Sequence, residues 1–182
     1  MPVSLLALVF VLMATLAHII SLFILPFGTK DDVFSRLERG AATNMIALID
    51  AEDLKGLPYV DPAVAMAVCH YDLSAGPVRL RVPLSETFLS ISLAERHRGI
   101  YASVSDRAAT GGSLDLVVAT QAQLDRITRL DDEEQAIEEI RMPARQITGL
   151  AIMKVFVDRP SSRARAQDVL RAARCESERL PD

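Results

Sequence analysis

Residues 78–104 read VRLRVPLSETFLSISLAERHRGIYASV, and this stretch decides the fold. Apolar and polar residues alternate over 78–82 and again over 88–93, and a third apolar run follows at 100–104. Strict alternation is typical of strands with one buried face. A proline and a charged turn separate the three runs. The stretch therefore predicts consecutive antiparallel strands joined as hairpins.

Further strands and helices are expected around this stretch. Residues 114–119 are typical of another strand, and 149–157 is apolar and β-branched, as a central strand would be. Thr120 and Gln123 form a capping-box pattern at the start of a helix, and a final helix is expected over 162–175. The predicted fold class is α+β: an antiparallel sheet, either single or curled as a sandwich, with the C-terminal helix packed on it.

Two segments have less regular patterns. Residues 62–69 read PAVAMAVC, and Asp61 before Pro62 is a favourable start for a short helix. The residues after Cys175 are polar, which predicts a flexible tail over 177–182.

The N-terminal run from Val3 to Leu25 contains no charged side chain. A helix over this run is about 35 Å long at about 1.5 Å per residue, enough to cross a hydrocarbon core of about 30 Å. The run lacks the basic start, the short apolar core and the small-residue cleavage site of a signal peptide, which favours an uncleaved anchor over a cleaved signal. The expected divisions are an anchor (1–28), a juxtamembrane helix (29–43), an α+β envelope domain (44–176) and the tail.

Two features disagree about the side of the membrane that the domain occupies. Lys30, Arg36 and Arg39 follow the span, and the positive-inside rule places such residues in the cytoplasm. Cys69 and Cys175 make an even pair, which in an exported domain is typical of a disulfide. Two free thiols in a cytoplasmic domain are the alternative. We interpret the pair as a disulfide and favour the periplasmic side.

One side of the span carries small and polar residues. Ala14, Ala17 and Ser21 lie at helical spacing with His18, and Ala17 to Ser21 is a small-xxx-small step. Such a face permits close packing of two helices with a hydrogen bond between them. The hypothesis is a transmembrane helix partner or a homodimer. The alternative is that the face has no partner, because Ala and Ser are common in any anchor.

The composition excludes some classes of function. The net charge is −4, the basic residues are dispersed and there is no Trp, so nucleic-acid binding is not expected. Two cysteines and three scattered histidines make a poor zinc set, so no metal site is expected. Because no catalytic or cofactor-binding motif occurs, no catalytic residue and no cofactor are assigned.

The best candidate for ligand binding is a polar loop. It contains Asp106, Arg107, Thr110, Gly111 and Gly112. Adjacent glycines let backbone amides approach an anion. An ordinary hairpin loop, in which Asp106 and Thr110 bond to local amides, is the alternative. An enzymatic hypothesis adds two residues to this loop: His97 and Tyr101.

Several segments together resemble one family. They are His18 and Pro26 in the span, and AVCHYDLSAGPV (67–78), FLSIS (88–92), GIY (99–101), SDRAATGG (105–112), VDRP (157–160) and ARC (173–175). The chain resembles the bacterial membrane proteins that carry domain of unknown function 1254. The resemblance implies a membrane-anchored β-rich domain with a cysteine at each end, and it implies no activity. Members often have a Trp after the late Asp-Pro, whereas this chain has none.

The functional prediction is a single-pass protein of the bacterial inner membrane with a periplasmic domain. We expect this domain to be a non-enzymatic binding or structural module, with a protein, a glycan or a small anion as its ligand. One alternative is a membrane-anchored enzyme that uses the Asp106–Gly112 loop. The other is an N-out protein with a cytoplasmic domain.

Overall fold

The computed structural model describes residues 2–28, 32–49, 61–131 and 139–179. In chain order, the helices and strands are α1 (Val3–Gly28), α2 (Val33–Gly40), β1 (Ile46–Ile49), β2 (Val64–Asp72), β3 (Val78–Pro83), β4 (Leu89–Glu95), β5 (Gly99–Ser105), β6 (Ser113–Thr120), α3 (Gln121–Leu130), β7 (Ile140–Ala144), β8 (Thr148–Phe156), α4 (Arg163–Ala172) and β9 (Arg174–Ser177). The α+β class predicted from the sequence is confirmed, and the strands form two packed sheets.

Five strands form an antiparallel sheet, sheet A, in the order β1-β2-β8-β4-β5. The strand β8 lies at its centre and pairs with β2 and β4, which confirms the predicted central strand. β4 and β5 form the predicted hairpin.

The prediction of a short helix at 62–69 is wrong. These residues lead into β2, where Ala65, Ala67 and Cys69 are buried between the sheets. Alanine favours helices, but β2 pairs with β8 on one side and with β1 on the other. Pairing with both neighbours overrides the local helix propensity, because it satisfies the backbone and buries one face of the segment.

Four strands form the second sheet, sheet B, in the order β7-β6-β3-β9. The strand β3 pairs antiparallel with β6 and β9, whereas β7 runs parallel to β6. The expected hairpin between β3 and β4 is wrong, since the two strands lie in different sheets. Their alternating patterns bury apolar side chains toward each other from opposite sheets, as in a β-sandwich.

The inner faces of both sheets form one hydrophobic core together with α4. Cys69 and Cys175 join β2 to β9 through a disulfide with Cα atoms 6.5 Å apart, which confirms the predicted bond. The final helix is shorter than predicted, because α4 ends at Ala172 and Cys175 lies in β9. The bond therefore connects the two sheets.

The C-terminal strand reaches further than the sequence suggests. β9 ends at Ser177, and the Glu178 N–H donates to the carbonyl of Pro77 at 2.8 Å. The predicted start of the tail at 177 thus falls inside β9, and residues 180–182 lie outside the described part of the chain.

The helix α2 covers part of the outer face of sheet A. Leu37 of this helix and Ala41, which follows it, form a second apolar cluster with three sheet residues, Ile49, Val68 and Leu150. Asp32 caps the helix by accepting a hydrogen bond from the Ser35 N–H at 2.8 Å. This helix lies within the predicted juxtamembrane segment, of which 29–31 lie outside the described residues.

We name the two ends of the sandwich by their position relative to α2. The near end, which α2 contacts through Arg96, consists of the connections at 72–77, 95–99 and 144–148. The far end consists of the connections at 84–88, 106–112 and 157–162. The predicted capping box of α3 is confirmed at the near end, where the Gln123 side chain also donates to the Leu73 carbonyl at 2.9 Å.

Candidate functional site

The predicted ligand loop lies at the far end. A 3-10 turn covers Asp106–Ala108, and the Leu84 N–H donates to the Gly112 carbonyl at 3.1 Å. Gly111 and Gly112 have positive φ angles of 69° and 88°, which explains the requirement for glycine there. Within the described residues, the Asp106 Oδ1 atom is buried and has no hydrogen-bond partner. Arg107 and Thr110 are exposed beside it.

The structure does not bring the three residues of the enzymatic hypothesis together. His97 lies in the turn before β5, and Asp106 follows the last residue of β5. Seven residues of extended strand separate the two by about 20 Å at about 3.3 Å per residue. Tyr101 lies in β5, where its hydroxyl is 3.2 Å from that of Tyr71. The acid, the imidazole and the phenol therefore share no pocket.

The near end is organised around Arg96, which follows β4. Its guanidinium donates to the Ser35 hydroxyl at 3.0 Å and to the Glu38 carboxylate. It also lies over the ring of Phe34, 5.0 Å from the centroid, where a cation–π attraction contributes. His70 of β2 approaches the same carboxylate, with its Nε2 atom 3.4 Å from Oε1. One arginine therefore joins α2 to the β4–β5 turn.

Glu95 is a buried acid at the same end, with only 1% of its surface exposed. Its Oε1 atom accepts hydrogen bonds from the backbone N–H groups of Arg145 and Gln146, at 2.7 and 3.0 Å. The Gln146 side chain donates to the Arg96 carbonyl at 3.3 Å. The other oxygen, Oε2, has no hydrogen-bond partner among the described residues. This carboxylate holds the β7–β8 connection against the β4–β5 turn.

A pair of phenols lies next to Glu95. Burial raises the pKa of Tyr71 far above its ordinary value, and the hydrogen bond to Tyr101 raises it further. Burial also raises the pKa of Tyr101. Gly149 makes room for this pair, because a Cβ atom there would lie 2.2 Å from the Tyr71 hydroxyl and 2.7 Å from the Ala94 carbonyl. Both phenols therefore stay protonated and serve as hydrogen-bonding core residues.

The outer face of sheet B is charged but internally neutralised. Arg79 donates to Asp115 at 3.0 Å, to Glu139 at 2.5 Å and to Glu178. Although burial lowers its pKa, hydrogen bonds to Glu178 and Glu139 raise the pKa of Arg79 above its ordinary value overall. Because three carboxylates surround the guanidinium, this face has no surplus of positive charge at Arg79.

A polar cleft of about 320 Å³ opens at the far end. The residues that line it come from the β3–β4 connection, the end of β8 and the start of α4: Ser85, Glu86, Thr87, Phe156, Asp158, Arg159, Ser161, Ser162, Arg165 and Ala166. Two ion pairs border it, Arg165–Glu86 at 2.7 Å and Arg159–Asp158 at 3.0 Å. The lining offers hydroxyl groups, acidic and basic side chains and one aromatic ring, which suit a small polar ligand.

The sequence did not indicate this cleft. The segment 158–162 has the pattern of a turn before a helix, and residues 84–88 that of a strand connection. Neither contains a recognised motif. The two segments meet only because β4 and β8 are neighbours, with the Phe156 N–H donating to the Phe88 carbonyl at 2.9 Å.

The described residues contain no group of three His, Cys, Asp or Glu side chains that could hold a metal ion. We take the far-end cleft as the candidate functional site because of the polar and charged side chains that line it. The loop at 106–112 lies at the same end of the sandwich.

A family model described as "Protein of unknown function (DUF1254)" matches residues 42–177. The chain belongs to this family. The match covers the disulfide, both sheets and the far-end cleft of this DUF1254 protein, while α1 and α2 precede it. No curated protein matches the chain.

Two solved structures share the fold. The VPA0106 protein from Vibrio parahaemolyticus aligns with a TM-score of 0.57 and 12% identity, over 80% of this chain and 36% of that one. A putative uncharacterized protein from Burkholderia cenocepacia aligns with a TM-score of 0.52 and 14% identity, over 80% of this chain and 39% of that one. This DUF1254 protein thus spans well under half the length of either relative.

Proposed function

We propose that this DUF1254 protein is a single-pass membrane-anchored envelope protein of the bacterial inner membrane, with its domain on the periplasmic side. The observation that carries the proposal is an unburied apolar helix joined to a disulfide-bonded domain. The span Val3–Leu25 has a mean hydropathy of 2.6 and 0% of it is buried. A helix of that length and composition gains free energy by entering a bilayer.

The disulfide supports the periplasmic side over the cytoplasmic side. Structural disulfides form and persist in oxidising compartments and are rare in the cytoplasm. Arg36 and Arg39 favour the opposite orientation by the positive-inside rule. We give the disulfide more weight, because Cys69 and Cys175 are both buried and join two separate sheets.

We propose a binding role for the domain, and its ligand site is the far-end cleft. The separation of His97 from Asp106 removes the geometric basis of an enzyme built on those residues. The cleft lies at the end of the sandwich opposite α2, so a ligand can reach it from the side away from the bilayer.

The span also supports a proposed helix partner or a second copy of the chain. Ala14, Ala17 and His18 offer small side chains and one imidazole at helical spacing. The Ser21 hydroxyl donates to the His18 carbonyl of its own helix at 2.7 Å. Ser21 therefore contributes its small size to this face, and His18 contributes the polar group.

Thiol chemistry in cells tests both the anchor and the side of the membrane. Arg107→Cys places a single thiol on the exposed far-end loop, and the unmodified chain is the matched control because its cysteines are paired. We expect a membrane-impermeant maleimide to label the variant once only the outer membrane is permeabilised. We expect the chain to stay in the membrane pellet after alkaline extraction.

Two results would contradict the proposal separately. Labelling of Arg107→Cys only after the inner membrane is lysed would place the domain in the cytoplasm. Release of a shortened chain into the soluble fraction would make the N-terminal helix a cleaved signal.

A further inference from the structure

We propose that the β4–β5 turn at the near end docks on anionic phospholipid headgroups of the bilayer that α1 spans. The docking surface consists of His97, Arg98 and Ile100 from the turn and the start of β5, together with Val33 of α2. This inference rests on the membrane anchor proposed above and adds an orientation to it.

The tether between the span and the domain is short. Gly28 ends α1 and Asp32 caps α2. Four peptide steps cover at most about 14 Å even when fully extended. The start of α2 must therefore lie within about 14 Å of the end of α1.

The turn is held next to the start of α2. Arg96 bonds to Ser35 and Glu38 and stacks on Phe34, so the turn and the first two turns of α2 form one unit. On its other side, Glu95 joins the turn to the β7–β8 connection. The short tether therefore brings the β4–β5 turn, together with α2, to the membrane surface.

The surface has the chemistry of a membrane contact. His97 and Arg98 are exposed at the tip of the turn, and His97 has a positive φ of 65° that makes the tip sharp. Ile100 and Val33 are apolar yet 60% and 49% exposed. Basic groups beside exposed apolar side chains are typical of surfaces that bind anionic lipid.

Two described acids at α2, Glu38 and Asp32, have partners within the domain. Glu38 is the partner of Arg96 and lies beside His70. Asp32 accepts the amide hydrogen bond that caps α2. The charges of Arg96 and His97 also help to lower the pKa of Asp32, so this acid offsets part of the charge of His97. The basic group that the surface offers to lipid is therefore chiefly Arg98, which is exposed at the tip of the turn.

Single tryptophans test the docking, because the chain contains no Trp of its own. Ile100→Trp and Val33→Trp report on the near end, and Phe156→Trp is the matched control at an exposed aromatic position of the far end. Each full-length variant is reconstituted into vesicles that contain brominated phosphatidylcholine, with or without phosphatidylglycerol. Fluorescence quenching by bromine measures contact with the bilayer.

We expect at least twofold quenching of the two near-end probes in vesicles with phosphatidylglycerol, and almost none for Phe156→Trp. Adding Arg98→Glu to Ile100→Trp, or omitting the anionic lipid, should reduce the quenching at least twofold. Unquenched near-end probes on chains that float with the vesicles would overturn the docking and leave the anchor intact. Equal quenching at both ends would also overturn it. Chains that do not float with the vesicles would overturn the anchor, and the docking with it.

Discussion

The two ends of the sandwich use polar residues in opposite ways. At the near end, Glu95 is 1% exposed and bonds to backbone amides of another connection. At the far end, Glu86 pairs with Arg165, but their side chains are 77% and 70% exposed. Removing a buried carboxylate that accepts hydrogen bonds costs about 1–3 kcal/mol, whereas exposed ion pairs contribute about 0–1 kcal/mol. Its polar contacts therefore make the near end rigid. Substitutions of exposed side chains at the far end should lower the free energy of unfolding only slightly.

This difference fits the proposed division of roles. In the proposed arrangement, Arg96 fixes the domain to α2, and α2 lies next to the span, so a rigid near end keeps the domain at a constant position relative to the span. Exposed charges, hydroxyls and Phe156 at the far end remain accessible to a ligand.

The largest expected effect is that of the disulfide, which lies in the near half of the sandwich. It closes a loop of 106 residues, and the chain-entropy account gives about 4.7 kcal/mol for a loop near that length. Reduction should lower the free energy of unfolding by about that amount. Urea denaturation of oxidised and reduced chains, followed by circular dichroism, measures the difference. A loss under about 1 kcal/mol would mean that the sheets do not depend on the bond.

Two glutamates provide the sharpest comparison of the ends. Glu95→Ala leaves the Arg145 and Gln146 amides without their carboxylate partner and should cost about 2 kcal/mol of unfolding free energy. Glu86→Ala removes only an exposed ion pair and should cost less than about 0.5 kcal/mol. Denaturant unfolding of both variants provides the measurement. Similar costs for the two would remove the distinction between the ends.

Two glycines test packing at the ends. Gly149→Ala places a methyl group against Tyr71 and the Ala94 carbonyl and should cost about 2–3 kcal/mol. Gly112→Ala meets no atom within 4 Å, and its positive φ should cost about 1 kcal/mol. Thermal unfolding ranks the two variants. Equal losses for the two variants would contradict the close approach of Tyr71 and Ala94 to Gly149.

The smallest effect concerns the cap of α2. Asp32→Ala should cost about 1 kcal/mol of local stability, since it removes the hydrogen bond to the Ser35 N–H. The Ser162 hydroxyl at the start of α4 donates to exposed Asp158 and to the Arg159 carbonyl instead of capping the helix. Ser162→Ala should therefore reduce the local stability of its helix less than Asp32→Ala does. Amide hydrogen exchange of residues 33–40 and 163–172 provides the measurement.

The same cap has a defined pH dependence. The hydrogen bonds from Ser35 hold the pKa of Asp32 below its ordinary value of 3.8. Stabilisation by the ionised cap should therefore be complete above about pH 4 and be lost as the pH falls through the lowered pKa of Asp32. Asp32→Asn should remove this dependence and keep most of the capping. Unchanged exchange of α2 amides in the wild type between pH 5 and pH 2 would contradict the assignment.

Local patterns predicted most strands correctly and failed where pairing crosses the molecule. Alternation identified β3 and β4, an apolar run identified β5, and the Thr120–Gln123 pattern identified the start of α3. Residues 62–69 misled because alanines suit a helix as well as a buried strand. Alternation also assigned β3 and β4 to one hairpin, because the pattern records which face is buried and not which sheet provides the partner.

The candidate site was less predictable than the fold. The loop at 106–112 was identified from its glycines and does lie at the far end. The cleft at the same end was not predicted, because segments 84–88 and 157–162 become neighbours only when β4 pairs with β8. The contacts of Glu95 and Arg96 could not be predicted either, because a charged turn has the same sequence pattern whether it faces water or packs against a helix.

The sequence alone determined the apolar N-terminal helix, the alternating strands and the presence of a cysteine pair. Each of these follows from local periodicity or composition, which can be read from the sequence without knowledge of the fold. Only the tertiary structure decided that β3 and β4 belong to different sheets, that Cys175 lies in a strand, and that the two ends differ. Those features depend on partners far apart in the chain, and the free energy of burying one segment against another is a property of the pair.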